Sequence, residues 1–267
     1  MGSEHDDEYD DWDEYDDDDQ YDWDEYDEEY ENDESDIVVK TPLTMPLWDI
    51  PTRVFHWSLV LLIPSAWFTA EYQYYEIHEY IGIAVLTLVL FRVAWGFVGS
   101  WHSRFVDFLV GWRRVRAYLR NQAPVKVGHN PLGGWSVVVI LSVLLVQALS
   151  GLFNSDDIMY SGPLYYAVSS YVRGVMGSAH DLFFNILLGL IALHISAVLW
   201  HQFHWKEKLI QAMVFGHAEG RKGKKPPVPI LGAVVIVLVC LGLVFLALWF
   251  APDPPIFIDS KDMDLSF

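Results

Sequence analysis

The stretch HDLFFNILLGLIALH, residues 180–194, is apolar except for a histidine at each end and Asp181 and Asn185 between them. Fourteen residues advance an α-helix by roughly 21 Å and bring it to within about 40° of whole turns. The two imidazoles therefore leave nearly the same face of one helix, one toward each leaflet of a bilayer. An ionisable side chain inside an apolar span is costly and marks a functional position. The surrounding sequence has to supply what these two histidines meet.

A span of the hydrocarbon core takes about 20 apolar residues. Five stretches qualify, at roughly 54–71, 78–99, 135–153, 180–202 and 229–250. Pro64 falls within the first, where a membrane helix tolerates a kink. Trp57, Trp67, Trp95, Trp135 and Trp200 crowd the ends, where amphipathic rings favour the interface. Between the second and third stretches lie Arg104, Arg113, Arg114, Arg116, Arg120 and Lys126. Between the fourth and fifth lie Lys206, Lys208, Arg221, Lys222, Lys224 and Lys225. The other two connections hold only Arg173. Basic loops stay in the cytoplasm. The N-terminus is thus expected to be cytoplasmic and the C-terminal tail external.

The formal charge of −19 belongs to a tail. Residues 1–36 contain 22 of the 36 acids and no Lys or Arg, which leaves the rest of the chain at about +3. Residues 1–40 show no helical or strand period, and like-charge repulsion predicts a disordered arm. Seven Tyr and Trp among the acids would let it dock on a basic partner, or on a basic face of this protein. It lacks the basic start and apolar core of a signal peptide. Nothing in the chain points to nucleic acid as a partner. The single cysteine, Cys240, excludes disulfides, CxxCH haem attachment and cysteine-held clusters within the chain.

Four of the ten histidines sit at span positions. With the orientation above, His78 and His180 share the outer depth, while His56 and His194 share the inner depth. Two imidazoles at one depth, without a carboxylate or thiolate, suit bis-imidazole ligation of a planar metal macrocycle. Helical bundles hold cofactors from facing helices in this way. Two haems b are expected, with His56, His78, His180 and His194 as axial ligands to iron in the pairs His78/His180 and His56/His194. Zinc suits two imidazoles poorly, since its usual tetrahedral shell would be half filled. Gly82 and Gly189, on histidine-bearing helices, offer room for a flat ring or a close helix contact. His102, His201, His204 and His217 lie in basic segments and read as solvated or interfacial.

The motifs DIPTRVFHW (49–57), HEYIG (78–82), FRVAWGFVGSWHSRF (91–105), GHNPLGG (128–134) and SGLF (150–153), with the His180/His194 pair, resemble the bacterial cytochrome b561 family. That family is related to the di-haem cytochrome b subunits of nickel–iron hydrogenases and formate dehydrogenases. The resemblance covers roughly residues 46–216. It implies an all-α integral membrane protein, a four-helix haem-binding transmembrane bundle, to which residues 217–267 add a basic linker, a fifth C-terminal transmembrane helix and a short periplasmic tail.

It also implies a bacterial inner-membrane location and electron transfer between membrane quinone, as exchangeable substrate, and a redox protein partner. That partner would be a c-type cytochrome or an oxidoreductase subunit. Its inner haem would stand near quinone, with His129 and Asn130 as a candidate quinone site and Arg53 beside an inner propionate. Asn-Pro-Gly reads equally well as a cap and turn into the third span. Electron transfer calls for no catalytic side chain. The alternatives are a stand-alone superoxide–quinone oxidoreductase and a haem-free membrane anchor of a larger complex.

Overall fold

A computed structural model describes residues 47–120, 130–156, 160–217 and 228–252. The acidic tail, His129 and Lys126 lie outside the described residues, as do Arg221, Lys222, Lys224 and Lys225. Five long helices make the body: α1 (Ile50–Glu71), α2 (Tyr75–Val98), α5 (Pro131–Gly151), α6 (Ser170–Phe203) and α8 (Ile230–Trp249). Three short ones, α3 (Phe105–Phe108), α4 (Trp112–Leu119) and α7 (Leu209–Phe215), decorate one end. That end holds the start of α1 and the end of α2, and is called the basic face below. Among the described residues there is no strand, only a bridge between Ser155 and Ser161.

Local chemistry starts and stops these helices. Asp49 caps α1 by accepting the Thr52 N–H at 2.7 Å, with Pro51 behind it in the first turn. Asn130 caps α5 in the same way, accepting from Gly133 N at 2.6 Å with Pro131 next. The capping reading of HNPLGG is therefore the one the structure shows for Asn130. Gly216, at φ 85°, closes α7 in the left-handed conformation.

α2 is the hub. It packs on α1, α5 and α8, and half of its apolar stretch is buried. Val89 and Trp95 are almost fully enclosed, and Phe55, Leu59, Leu141, Leu144 and Leu187 close around them. α8 supplies Ala233 and Cys240 to this core, and its Val244 joins Ile83, Leu86 and Leu152. The fifth helix is thus an integral layer on α2. α6 buries little within the protein and packs mainly on α5. Leu61, Leu193 and Leu231 stand about 70% exposed. Such apolar side chains facing outward suit lipid, which is as apolar as they are.

α2, α5, α6 and α8 are each long and apolar enough to cross a membrane. α1 has the length, at 22 residues, but not the same apolarity, because Arg53, His56, Pro64 and its serines dilute the aliphatic run. A second difference concerns α6, which begins at Ser170 rather than near 180 and runs for 34 residues. A helix of that length is about 51 Å long, well beyond a core of about 30 Å. Its first turns are polar and glycine-containing, so apolar periodicity missed them. Packing against the preceding loop accompanies them: Arg173 stacks over the Tyr165 ring at 4.4 Å, and Gly177 lies against Asn154.

Candidate functional site

At the end opposite the basic face, α2 and α6 bring His78 and His180 together. Their ring centroids are 6.3 Å apart and their planes cross at 81°. His78 Nδ1–H donates to Ala66 O at 2.8 Å, and His180 Nδ1–H donates to Gln147 O at 3.0 Å. A carbonyl only accepts, so both rings carry the proton on Nδ1 and leave the Nε2 lone pair for another partner. Metal-ligating histidines are oriented by this kind of brace.

A metal–imidazole nitrogen bond is about 2 Å long. Two imidazoles sharing one metal therefore have ring centroids about 6 Å apart, which fits the observed pair. Gly82 lies one helical turn from His78 on the same face, and a Cβ there would meet nothing within 4 Å. Open space therefore lies beside Gly82 on the His78 face of α2.

The seat of His180 is built by α5. Ser150, almost fully buried, donates to Gln147 O at 3.0 Å and stands 3.3 Å from His180 Nδ1. Gly151 lets the imidazole rest on the helix backbone: a Cβ there would stand 3.0 Å from His180 Cε1. SGLF thus has a physical reason that its spacing did not reveal. Gln147 also places its amide nitrogen 3.1 Å from His180 Nε2, so its side chain must turn aside when that nitrogen ligates. Gln147 Oε1 is buried with no hydrogen-bond partner.

At the basic face, His56 on α1 and His194 on α6 are near enough to interact electrostatically. His56 Nδ1 is buried without a hydrogen-bond partner, and the Trp57 ring stands edge-on at 5.2 Å. Among the described residues α1 and α6 share no extended packed seam. α7 bridges them at this end. Its terminal carbonyls, which a helix leaves without partners, are capped from the start of α1. Trp48 N donates to Gly216 O at 3.2 Å, Trp57 Nε1 to Met213 O at 3.2 Å, and Arg53 to Val214 O. Arg53 is therefore committed to a protein carbonyl, although its Nε remains without a partner.

Gly189 does not belong to the site. At about 100° per residue it lies half a turn around α6 from His180, and it is exposed. Leu187, on the histidine face, is buried.

Beneath the basic-face pair, Asp49 organises a buried polar cluster. Its Oδ2 accepts from Trp95 Nε1 at 3.0 Å, from Ser103 Oγ at 3.1 Å and from Ser100 Oγ, and Thr52 Oγ1 bonds Ser103 Oγ at 2.7 Å. Burial pushes the Asp49 carboxyl up, but bonds from Ser100, Thr52 and Trp95 outweigh it and hold it below the usual 3.8. Arg92, buried beside it, lies 5.5 Å from the centre of the Phe105 ring. This cluster joins DIPTRVFHW to FRVAWGFVGSWHSRF through space. At the other face, Tyr160 donates to Glu79 at 3.0 Å and stacks on Tyr75, fastening the α5–α6 loop beside His78.

A membrane bundle that pairs histidines from facing helices at two levels has the architecture of a b-type cytochrome. The chain belongs to the prokaryotic cytochrome b561 family, whose model matches residues 47–216. It is 23% identical over 221 residues to the probable Ni/Fe-hydrogenase 1 B-type cytochrome subunit of Escherichia coli K12, covering 67% of this chain and 92% of that protein. It is 22% identical over 211 residues to the probable Ni/Fe-hydrogenase B-type cytochrome subunit of Rhizobium leguminosarum bv. viciae, covering 64% and 87%. No solved structure matches. The chain is a multi-pass membrane b-type cytochrome of electron transfer.

Proposed function

We propose that the chain holds two haems b, one between His78 and His180 and one between His56 and His194, and passes electrons between membrane quinone and a partner redox protein. The observation that carries this is the His78/His180 geometry, with both Nδ1–H groups tied to carbonyls, so that Nε2 is the unprotonated nitrogen of each ring, met on His180 by the Gln147 amide. Haem b, when bound, supplies a reversible one-electron centre near each face of the membrane.

The protein's own work is positional. Ala66 O and Gln147 O fix the tautomer and the plane of the outer imidazoles, and Ser150 and Gly151 seat one of them. α7 ties α1 to the end of α6 around the other pair. At the basic face Asn130 spends its Oδ1 on capping, which leaves its Nδ2–H groups as donors to a quinone carbonyl. His129 is the proton-exchanging neighbour in this reading. The relatives' names support an oxidoreductase subunit as the redox partner. The location is the bacterial inner membrane, with the basic face and N-terminus cytoplasmic and the C-terminus periplasmic.

The test is haem per chain in the purified protein, with a reduced-minus-oxidised spectrum. Two haems are expected, and His78→Ala and His194→Ala should each remove one while the helical content stays. One haem in the unaltered protein would show that one pair does not ligate. A folded, colourless protein would instead support a haem-free anchor.

A further inference from the structure

We propose that α4 is a binding site for the headgroups of anionic glycerophospholipids at the basic face. Haem binding makes no use of this segment. Its sequence, WRRVRAYL followed by Arg120, divides cleanly around a helix. At about 100° per residue, Arg116, Arg120, Arg113 and Arg114 lie within one arc of about 160°, shared only with the small Ala117. Tyr118, Val115, Leu119 and Trp112 occupy the complementary arc. All four arginines are exposed, as are Trp112 and Leu119, while Val115 at the middle of the apolar arc is 1% exposed.

The helix is pinned at one depth. It packs on α5. Trp135 Nε1, in the first turns of α5, donates to Val110 O at 3.0 Å just before α4. Gly134 admits the Phe108 backbone so closely that a Cβ would lie 2.8 Å from Phe108 O. α4 is therefore held where the apolar run of α5 begins, the level of a membrane interface. A short amphipathic helix with aromatic and aliphatic residues on one side and arginines on the other is built to lie in that plane.

Charge selects the occupant. No acid occurs between Asp107 and Asp156, and Asp107 is paired with Arg104 at 2.9 Å. None of the four arginines forms a salt bridge with a described residue. Guanidinium groups bind phosphate oxygens in a bidentate fork, and exposed Trp112 and Leu119 would enter the acyl boundary beside them. An acidic polypeptide, the chain's own residues 1–36 included, would satisfy the charges, but only lipid also offers acyl chains to exposed Trp112 and Leu119.

The test uses the full-length cytochrome in neutral detergent, stripped of lipid and offered an equimolar mixture of phosphatidylglycerol and phosphatidylcholine. Bound lipid is read by native mass spectrometry. Each basic residue near an anionic surface contributes roughly fivefold, so the unaltered protein should prefer phosphatidylglycerol by more than about tenfold. R113Q/R114Q/R116Q/R120Q should abolish that preference with haem absorption unchanged, and R113Q/R114Q should weaken it partway. Equal retention of the two lipids by the unaltered protein would overturn the proposal. So would a preference that survives the fourfold substitution, or binding of an acidic peptide by a protein indifferent to lipid charge.

Discussion

The His180 imidazole rests directly on the α5 backbone at Gly151, where a Cβ would stand 3.0 Å from its Cε1 and 3.3 Å from its Nδ1. A Cβ there would make the ring give by a few tenths of an ångström, and a branched side chain would push it further from Gln147 O. Gly151→Val is expected to halve haem per chain by emptying the His78/His180 pair, with Gly151→Ala intermediate. Haem quantification beside circular dichroism checks this. A full haem complement in Gly151→Val would show that the seat is dispensable.

Gln147 plays two opposed parts. Its carbonyl orients His180, while its side-chain amide lies against the Nε2 that would ligate. Substitution to Ala keeps the carbonyl and removes the competitor. Losing a hydrogen bond of about 1 kcal/mol from the unligated state should strengthen haem binding at this pair roughly fivefold. Haem titration into haem-depleted protein measures it, and an unchanged affinity would mean that the amide turns aside at no cost.

Gly82 shares a helix face with His78 and has open space beside it. Gly82→Leu should leave α2 intact, since leucine forms helix more readily than glycine by about 1 kcal/mol. It should nevertheless exclude a flat ring from the His78 side. The expected result is a folded protein with one haem in place of two. Gly189→Leu, on the opposite side of α6, is expected to keep both.

The Asp49 carboxyl is held below its ordinary value by donors from Ser100, Thr52 and Trp95. A depressed folded-state pKa contributes stability that is present above 3.8 and is lost as pH falls through the folded value. Thermal stability should therefore fall below about pH 4, and Asp49→Asn should flatten that part of the profile. Trp95→Phe removes one bond to a charged acceptor and should cost about 1.5–3 kcal/mol at neutral pH. A pH profile in Asp49→Asn identical to that of the unaltered chain would place the acid sensitivity elsewhere.

Some of this was legible in the chain alone. Apolar run length sets α2, α5, α6 and α8 as crossing helices, because burial in lipid depends on composition over a local window. The His180–His194 spacing sets a shared face, because helical rotation is a property of one segment. α1 is less apolar than the other four, and its cap at Asp49 and Pro51 is local. The face of Gly189 also follows from helical rotation alone.

The rest needed the tertiary structure. His180 depends on Gln147, Ser150 and Gly151, about thirty residues earlier. Asp49 depends on Trp95, Ser100 and Ser103, about fifty residues later. The strap formed by α7 depends on donors from the start of α1, more than 150 residues before it. None of these couplings leaves a period or a motif within a window, since each is a hydrogen bond or a close approach made only when helices meet. The amino-acid sequence by itself determined a helical membrane protein with imidazoles at two levels. Only the packing of those helices decided which atoms brace each imidazole and which glycine faces the space beside it.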